Sequence, residues 1–196
     1  MKVSRLYMVT GNRHKVEEAK EILERYGVEL VQAEARKLEI QSESLEEIAL
    51  TAARYAYLQL RKPLIVEDAG LFIEALNGFP GPYSSYVYKK IGVEGVLKLM
   101  EGVGDRRACF KAAVAYVAPG VERVFTGEVC GRIAREARGS RGFGFDPIFV
   151  PEGESRTFAE MSVEEKNRYS HRARAFKRLG EWIVREWWSM RSNSEG

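Results

Sequence analysis

The feature that most restricts the fold is a pair of long β-patterned runs, residues 106–118 and 121–133, joined at Pro119-Gly120. Their length, their β-branched and aromatic content and the Pro-Gly punctuation predict a hairpin of two substantial antiparallel strands. Such a ribbon is marginal alone and needs further strands and helices to cover it. The 196 residues are 45% hydrophobic, enough for one substantial core in one domain or two closely packed lobes.

The chain ahead of the hairpin alternates. Residues 4–10 read as a short buried strand ending at Gly11. From Asn12 the period turns helical: Val16, Ala19, Leu23 and Tyr26 share one face, with Lys15, Glu17, Glu18, Lys20 and Glu21 on the other. Gly27 ends that helix and residues 28–32 return as a strand. Ser44-Leu45-Glu46-Glu47 and Ser162-Val163-Glu164-Glu165 carry the capping-box pattern that satisfies orphan amides at a helix start. Residues 64–66 predict a buried strand that delivers Glu67 and Asp68 to its end. A turn-rich stretch at 77–82 follows, then two short helices over 83–100 broken near Gly92. Beyond the hairpin come a Gly- and Arg-rich loop at 136–146, a strand at 147–150, and a helical C-terminal region carrying Trp182, Trp187 and Trp188. This order predicts an α/β fold around a long twisted mixed β-sheet flanked by helices.

Charge narrows the function classes. Thirty-one basic residues are interleaved with twenty-eight acidic ones, a net +3 that predicts solvated faces rather than a nucleic-acid stripe. No leader pattern and no membrane-length apolar run is visible, so the expectation is a cytoplasmic protein that needs neither membrane nor nucleic acid. Cys109 and Cys130 fall on separate strands and are expected as two buried thiols, a disulfide between facing strands being the alternative. Two Cys and two His leave no thiolate–imidazole metal cluster.

Four segments carry chemistry. Thr10-Gly11-Asn12-Arg13-His14-Lys15 lies between strand and helix, where glycine permits close approach and the helix start offers amides and a positive dipole end. Its spacing is not that of a Walker loop, and an ordinary turn fits it as well. Glu67-Asp68 places two acids on an apolar strand, which suits Mg²⁺ coordination or a solvated strand end with the acids on opposite faces. Phe143-Gly144-Phe145-Asp146 offers a flat face for a base, or two phenylalanines anchoring a loop on the core. Lys166 and Ser170-His171-Arg172, taken alone, read as a basic solvated helix surface, and both histidines as polar surface residues.

In order along the chain, Thr10-Gly11-Asn12-x-x-Lys15, Glu39-Ile40-Gln41, Glu67-Asp68-x-Gly70-Leu71 and Gly78-Phe79-Pro80-Gly81-Pro82-Tyr83 closely resemble the inosine/xanthosine triphosphate pyrophosphatase family. So do Gly142 to Pro147, Ala159-Glu160-Met161, Glu165-Lys166-Asn167 and Ser170-His171-Arg172, a resemblance spanning about residues 4 to 180. It implies Mg²⁺-dependent hydrolysis of ITP, dITP and XTP to the monophosphate and pyrophosphate. It further implies a single domain over 1–190 in two lobes with the active-site cleft between them, a polar tail at 191–196, and a homodimer with its interface near residues 79–83. Thr10, Gly11, Asn12, Arg13, His14 and Lys15 would hold the triphosphate, with the Ala69 amide assisting. Glu39 and Asp68 would bind the metal, and Asp68 would act as general base. Phe143, Gly144, Phe145, Asp146, Lys166, His171 and Arg172 would form the base pocket, Phe143 stacking on the purine and Arg172 donating to its 6-oxo group.

The chain departs from the family at Ala52, where several members carry lysine, and at Ser85, where a basic residue is common. Arg54, Lys89 and Lys90 are the nearby candidates to compensate. The competing readings are a pyrophosphatase of the septum-inhibitor-like group and a non-catalytic nucleotide- or nucleic-acid-binding module.

Overall fold

The computed structural model describes residues 4–192, with side chains described within the last helix as far as Glu186. The elements are β1 (Ser4–Val9), α1 (Arg13–Leu23), β2 (Val28–Ala33), α2 (Leu45–Leu60), β3 (Leu64–Ile73), β4 (Pro80–Gly81) and α3 (Ser84–Leu99). The long pair β5 (Arg107–Ala118) and β6 (Val121–Ile133) follows, then β7 (Phe149–Pro151), α4 (Val163–Lys166) and α5 (His171–Ser192). One seven-stranded sheet has the order β2-β1-β3-β5-β6-β7, with β4 beside β3. β1 runs parallel to β2 and β3, and every other pair is antiparallel, so the sheet is mixed. Of the expected polar tail, residues 191–192 continue α5 and 193–196 lie outside the described residues, as do the side chains of Trp187 and Trp188.

Alternation along the strands sorts the core. Ile65, Ala112 and Val114 turn to one face, where Val16, Ala19 and Ile22 of α1 and Ala175, Phe176 and Leu179 of α5 cover them. Leu64, Val66, Ala113 and Ala115 turn to the other, under Ala49, Ala52, Ala53 and Ala56 of α2. A further core joins Val87 and Val96 of α3 to Ile133, Phe149 and Phe158. β7 pairs with β6 only over Gly131–Ile133, and the open edge of β6 is guarded from α5: Arg174 donates to the Glu128 carbonyl (2.6 Å) and Arg178 to that of Thr126 (2.7 Å). Gly127 lets α5 press against this edge, since a Cβ there would lie 2.6 Å from the Ala175 amide nitrogen.

The hairpin, the α1 start at Asn12, the stop at Gly27 and the break at Gly92 (φ 62°) form as the sequence predicts. Five expectations need correcting. β3 does not end at Glu67 and Asp68; it runs on to Ile73 because β5 pairs with it along its whole length, from Leu64↔Val117 to Ile73↔Ala108. Ser44 caps α2 at the Glu47 amide, but Glu47 takes the Ser42 hydroxyl (2.6 Å) instead of closing the box; the second box, Ser162 with Glu165, is complete. The strand expected at 147–150 starts at Phe149, after a 3₁₀ turn over Asp146–Ile148. Cys109 and Cys130 are not two buried thiols; they are half-buried cross-strand partners joined as a disulfide. Glu18 does not share the solvated face of α1 but is buried.

Candidate active site

The N-terminus of α1 is built by two side chains. The Asn12 carboxamide oxygen accepts from the amides of His14 (3.0 Å) and Lys15 (3.4 Å), while the Thr10 hydroxyl accepts from the Asn12 amide (3.1 Å). Gln32 donates to the Thr10 carbonyl (2.8 Å) and ties the loop to β2. Two amides expected to face a phosphate are therefore already engaged. Gly11 is different: its φ is not left-handed and a Cβ there would meet nothing within 4 Å, so neither conformation nor packing demands glycine. Arg13 and His14 are exposed beside it.

Glu67 and Asp68 point to opposite faces of β3 and live in opposite environments. Glu67 sits wholly inside the α1/α5 face, against the Lys15 ammonium (2.7 Å) and the Arg172 guanidinium (3.0 Å). Burial alone would raise its pKa, but Arg172 and Lys15 outweigh that and hold it down to about 2. Asp68 is pushed up to about 6. Its burial and the charge of Glu67 exceed the lowering by Lys15, the Ala69 amide and Lys37. Glu39 lies exposed on the loop between β2 and α2, paired with Lys37 (3.4 Å).

Lys166, His171 and Arg172, expected from the resemblance to line a base pocket, are buried and not a solvated surface. Lys166 bridges Glu18 and Asp146 at 2.7 Å each, and Arg172 reaches Glu18 at 2.6 Å as well as Glu67. Asp146 also accepts from the Phe143 amide (2.9 Å). The result is one continuous line, Lys15–Glu67–Arg172–Glu18–Lys166–Asp146–Phe143, from the α1 loop to the aromatic loop. Three cations meet three anions, so every charge in the line has an opposite neighbour. Glu18 is held ionised below its usual range because Arg172 and Lys166 outweigh its burial, whereas burial keeps Asp146 raised. His171 is enclosed and stacked on Phe110 (4.8 Å between centroids, 10° between planes). Burial, then Arg172, Lys166 and Lys15, hold its pKa well below the usual value, so it is a neutral imidazole.

The two phenylalanines part ways. Phe145 is core, edge-on to Tyr88, as the anchoring alternative expects. Phe143 stays half-buried, with Lys166 Nζ 5.1 Å and Arg172 Cζ 5.2 Å from its ring centre. The His14 ring lies parallel to it at 5.5 Å. Gly144, with φ 60°, supplies the left-handed turn between them.

The structure thus gathers Lys15, Asp146, Lys166 and Arg172 into one network, with Asp68, Phe143, His14 and His171 around it. It leaves Glu39 and Arg13 on exposed surface. Ala52 is packed under the sheet and Ser85 is exposed; Arg54 is committed to Glu122 (2.6 Å) and Lys90 lies over Tyr86. Sequence reasoning missed Glu18 and the pairing role of Glu67. The only signal for Glu18 was helical spacing, since Lys15, Glu18 and Ile22 follow one another at three and four residues and share a face.

The residues that can hold a divalent cation follow from this geometry. Glu67 is consumed by two cations, whereas Asp68, its pKa raised chiefly by burial, is the oxygen donor left for a hard cation. Glu39, the other carboxylate expected at the metal, stays on exposed surface with Lys37 as its partner.

The model of the Ham1 family matches residues 6–182. A dITP/XTP pyrophosphatase of Methanopyrus kandleri is 57% identical over 179 residues, covering 91% of this chain and 95% of that protein. One from Hyperthermus butylicus is 55% identical over 178 residues, covering 91% and 94%. Among solved structures, a HAM1 protein from Coxiella burnetii superposes with a TM-score of 0.82 at 30% identity, over 93% of this chain and all of that one. With that match across nearly its whole length, this chain belongs to the Ham1 family.

Proposed function

We propose that this protein hydrolyses the deaminated purine nucleoside triphosphates ITP, dITP and XTP to the monophosphate and pyrophosphate, with a divalent cation, Mg²⁺, as cofactor. The observation that carries the reading is the donor inventory beside Phe143. Arg172 has five N–H groups and spends three on Glu67 and Glu18; Lys166 has three and spends two, on Glu18 and Asp146. What both residues keep is donors only. A 6-oxo purine meets them with acceptors, whereas the 6-amino group of adenine brings a donor against donors. Buried mismatches of this kind separate substrates by about 10⁴-fold or more.

The chemistry divides among the remaining residues. Lys15 and the open face at Gly11 receive the phosphates. Asp68 takes a proton from the attacking water as its oxygen bonds to the α-phosphorus and the α–β bridging bond breaks, releasing pyrophosphate; the proton then passes to solvent. Glu39 and Asp68 would hold the divalent ion, which supplies neutralisation of charge on the phosphates. Glu67 and Glu18 touch no substrate and act as positioning residues. We read the chain as one domain of two lobes sharing the sheet, the substrate lying between them.

Pyrophosphate release from ITP, dITP, XTP, GTP and ATP, each with Mg²⁺ and with EDTA, is the direct test. The expected pattern is turnover of the first three, at least 10²-fold above ATP, abolished by EDTA. Equal turnover of ATP and ITP would remove the base-reading account.

Phe79, Tyr83, Tyr86, Ile91 and Leu99 stand exposed around β4 and α3, and we assign this face to a homodimer contact. Tyr86→Asp with Ile91→Asp is expected to convert a dimer to a monomer in sedimentation. A wild-type protein that sediments as a monomer, or a variant that stays dimeric, would place the contact elsewhere or nowhere.

A further inference from the structure

At the open end of the hairpin, away from its Pro119-Gly120 turn, lies a cavity of ≈ 660 Å³ lined by five arginines, Arg106, Arg107, Arg132, Arg135 and Arg138, and only two acids. That lining carries a formal excess of three positive charges, equal to the +3 of the whole chain, so the rest of the molecule balances to neutral. The site is separate from Asp68, although Arg138, whose amide donates to the Pro147 carbonyl (2.9 Å), borders the loop that carries Asp146. Arg107 and Arg132 are cross-strand partners, whereas Asp68 pairs with Ala113, six residues further along β5. At about 3.4 Å per residue Arg107 and the position opposite Asp68 are roughly 20 Å apart along β5.

The arginines are not equally spent. Arg106 is a structural staple, donating to the carbonyls of Ile133 (2.8 Å), Met100 (2.9 Å) and Ala134 (2.7 Å). Those acceptors are neutral, so its charge stays. Burial, then the charge of Arg135, lowers its pKa, a sign that like charges crowd there. Arg107 is matched by Asp105 (2.7 Å). Arg138 donates to the Ser155 carbonyl (2.8 Å) and stands 3.4 Å from Glu160. Arg132 makes one long contact with the Glu154 carbonyl (3.5 Å), and among the described residues neither Arg132 nor Arg135 has a carboxylate partner.

Clustered guanidinium groups repel one another, and a concave site with apolar walls strengthens both that repulsion and the attraction of an anion. Ile133 and Val150 provide such walls here. The volume suits a small molecule. No aromatic side chain lines the cavity, so it offers nothing for a nucleobase to stack on. Planar forks suit phosphate oxygens taken two at a time. We infer that this cavity is a second, non-catalytic site for a compact multivalent phosphate of the inorganic di- or triphosphate class.

Calorimetric titration with inorganic triphosphate in EDTA, at ionic strength matched with potassium chloride, tests this in the full-length protein. Comparing wild type with the Arg132→Ser/Arg135→Ser variant, one binding equivalent is expected to vanish or weaken at least tenfold. Any equivalent at the candidate active site, and pyrophosphate release from ITP, are expected to stay unchanged. An unaltered titration overturns the inference, as does chloride erasing the wild-type binding at the same ionic strength. So does an oligonucleotide that needs these arginines when inorganic triphosphate does not bind. Because the probe is inorganic, the titration reads the same even if the proposed nucleotide substrates prove wrong.

Discussion

Replacing Asp68 with asparagine is expected to lower kcat by about 10²–10⁴-fold, the range of positioned general bases, and at the same time to stabilise the metal-free protein at neutral pH. The two effects share a cause. Folding raises the Asp68 pKa from 3.8 to about 6, chiefly by burial, so the folded state prefers the protonated acid. Stability linked to that preference is fully present below pH 3.8, fades as pH rises, and is gone above about 6. Above that pH the carboxylate costs up to about 3 kcal/mol, because a tenfold change in proton affinity corresponds to about 1.4 kcal/mol. Asparagine removes this cost while keeping the shape. Without metal the variant should melt above the wild type at pH 7.5 and together with it below pH 4. Mg²⁺ should raise the melting temperature of the wild type alone. The rising limb of the activity–pH profile should also be lost. Near-normal turnover in the variant would show that another group takes the proton, and a lower melting point at pH 7.5 would show that the buried carboxylate is not strained.

Arg172→Ala is expected to cost about 3–5 kcal/mol of stability, the range for removing one partner of a buried ion cluster. In a chain of this size that is a fall of roughly 10 °C in melting temperature. It leaves Glu67 with Lys15 alone and Glu18 with Lys166 alone, both inside the core. Any loss of discrimination against ATP must therefore be measured under conditions where the variant is folded. A double-mutant cycle with Glu67→Gln separates the roles. If the two residues act through each other, the double variant should be more stable than the sum of the single changes predicts, by about 1–3 kcal/mol. Strict additivity, or an Arg172→Ala protein as stable as the wild type, would dissolve the network account. Unchanged selectivity in the folded variant would remove Arg172 from base reading.

The same network explains how much was legible in advance. The hairpin, α1, the Gly27 stop and the kink at Gly92 follow from local patterning, because periodicity and glycine conformation act within a few residues. So does the strand of Leu64, Ile65 and Val66, though its continuation through Asp68 to Ile73 does not, since it depends on pairing with β5 more than thirty residues away. Burial of charged residues is the extreme case. Glu18 looks like any member of a solvated acidic and basic stripe, and Ser170-His171-Arg172 like a basic surface. Only docking of α5 against α1 and β3 brings Arg172 within 2.6 Å of Glu18 and 3.0 Å of Glu67. The cysteines make the same point: their identity is local, while their bond depends on the β5–β6 register that sets Cys109 opposite Cys130.

From residues in order came the α/β class, the order of the main elements and the identity of the chemical groups, since each depends on neighbours along the chain. The environment of those groups belongs to the folded molecule. Adjacent carboxylates at Glu67 and Asp68 are indistinguishable in sequence, yet alternation across β3 buries one between two cations and leaves the other to carry its charge at a cost. Desolvation and ion pairing depend on what arrives from distant segments, and that separates the carboxylate that holds the site together from the one available for chemistry.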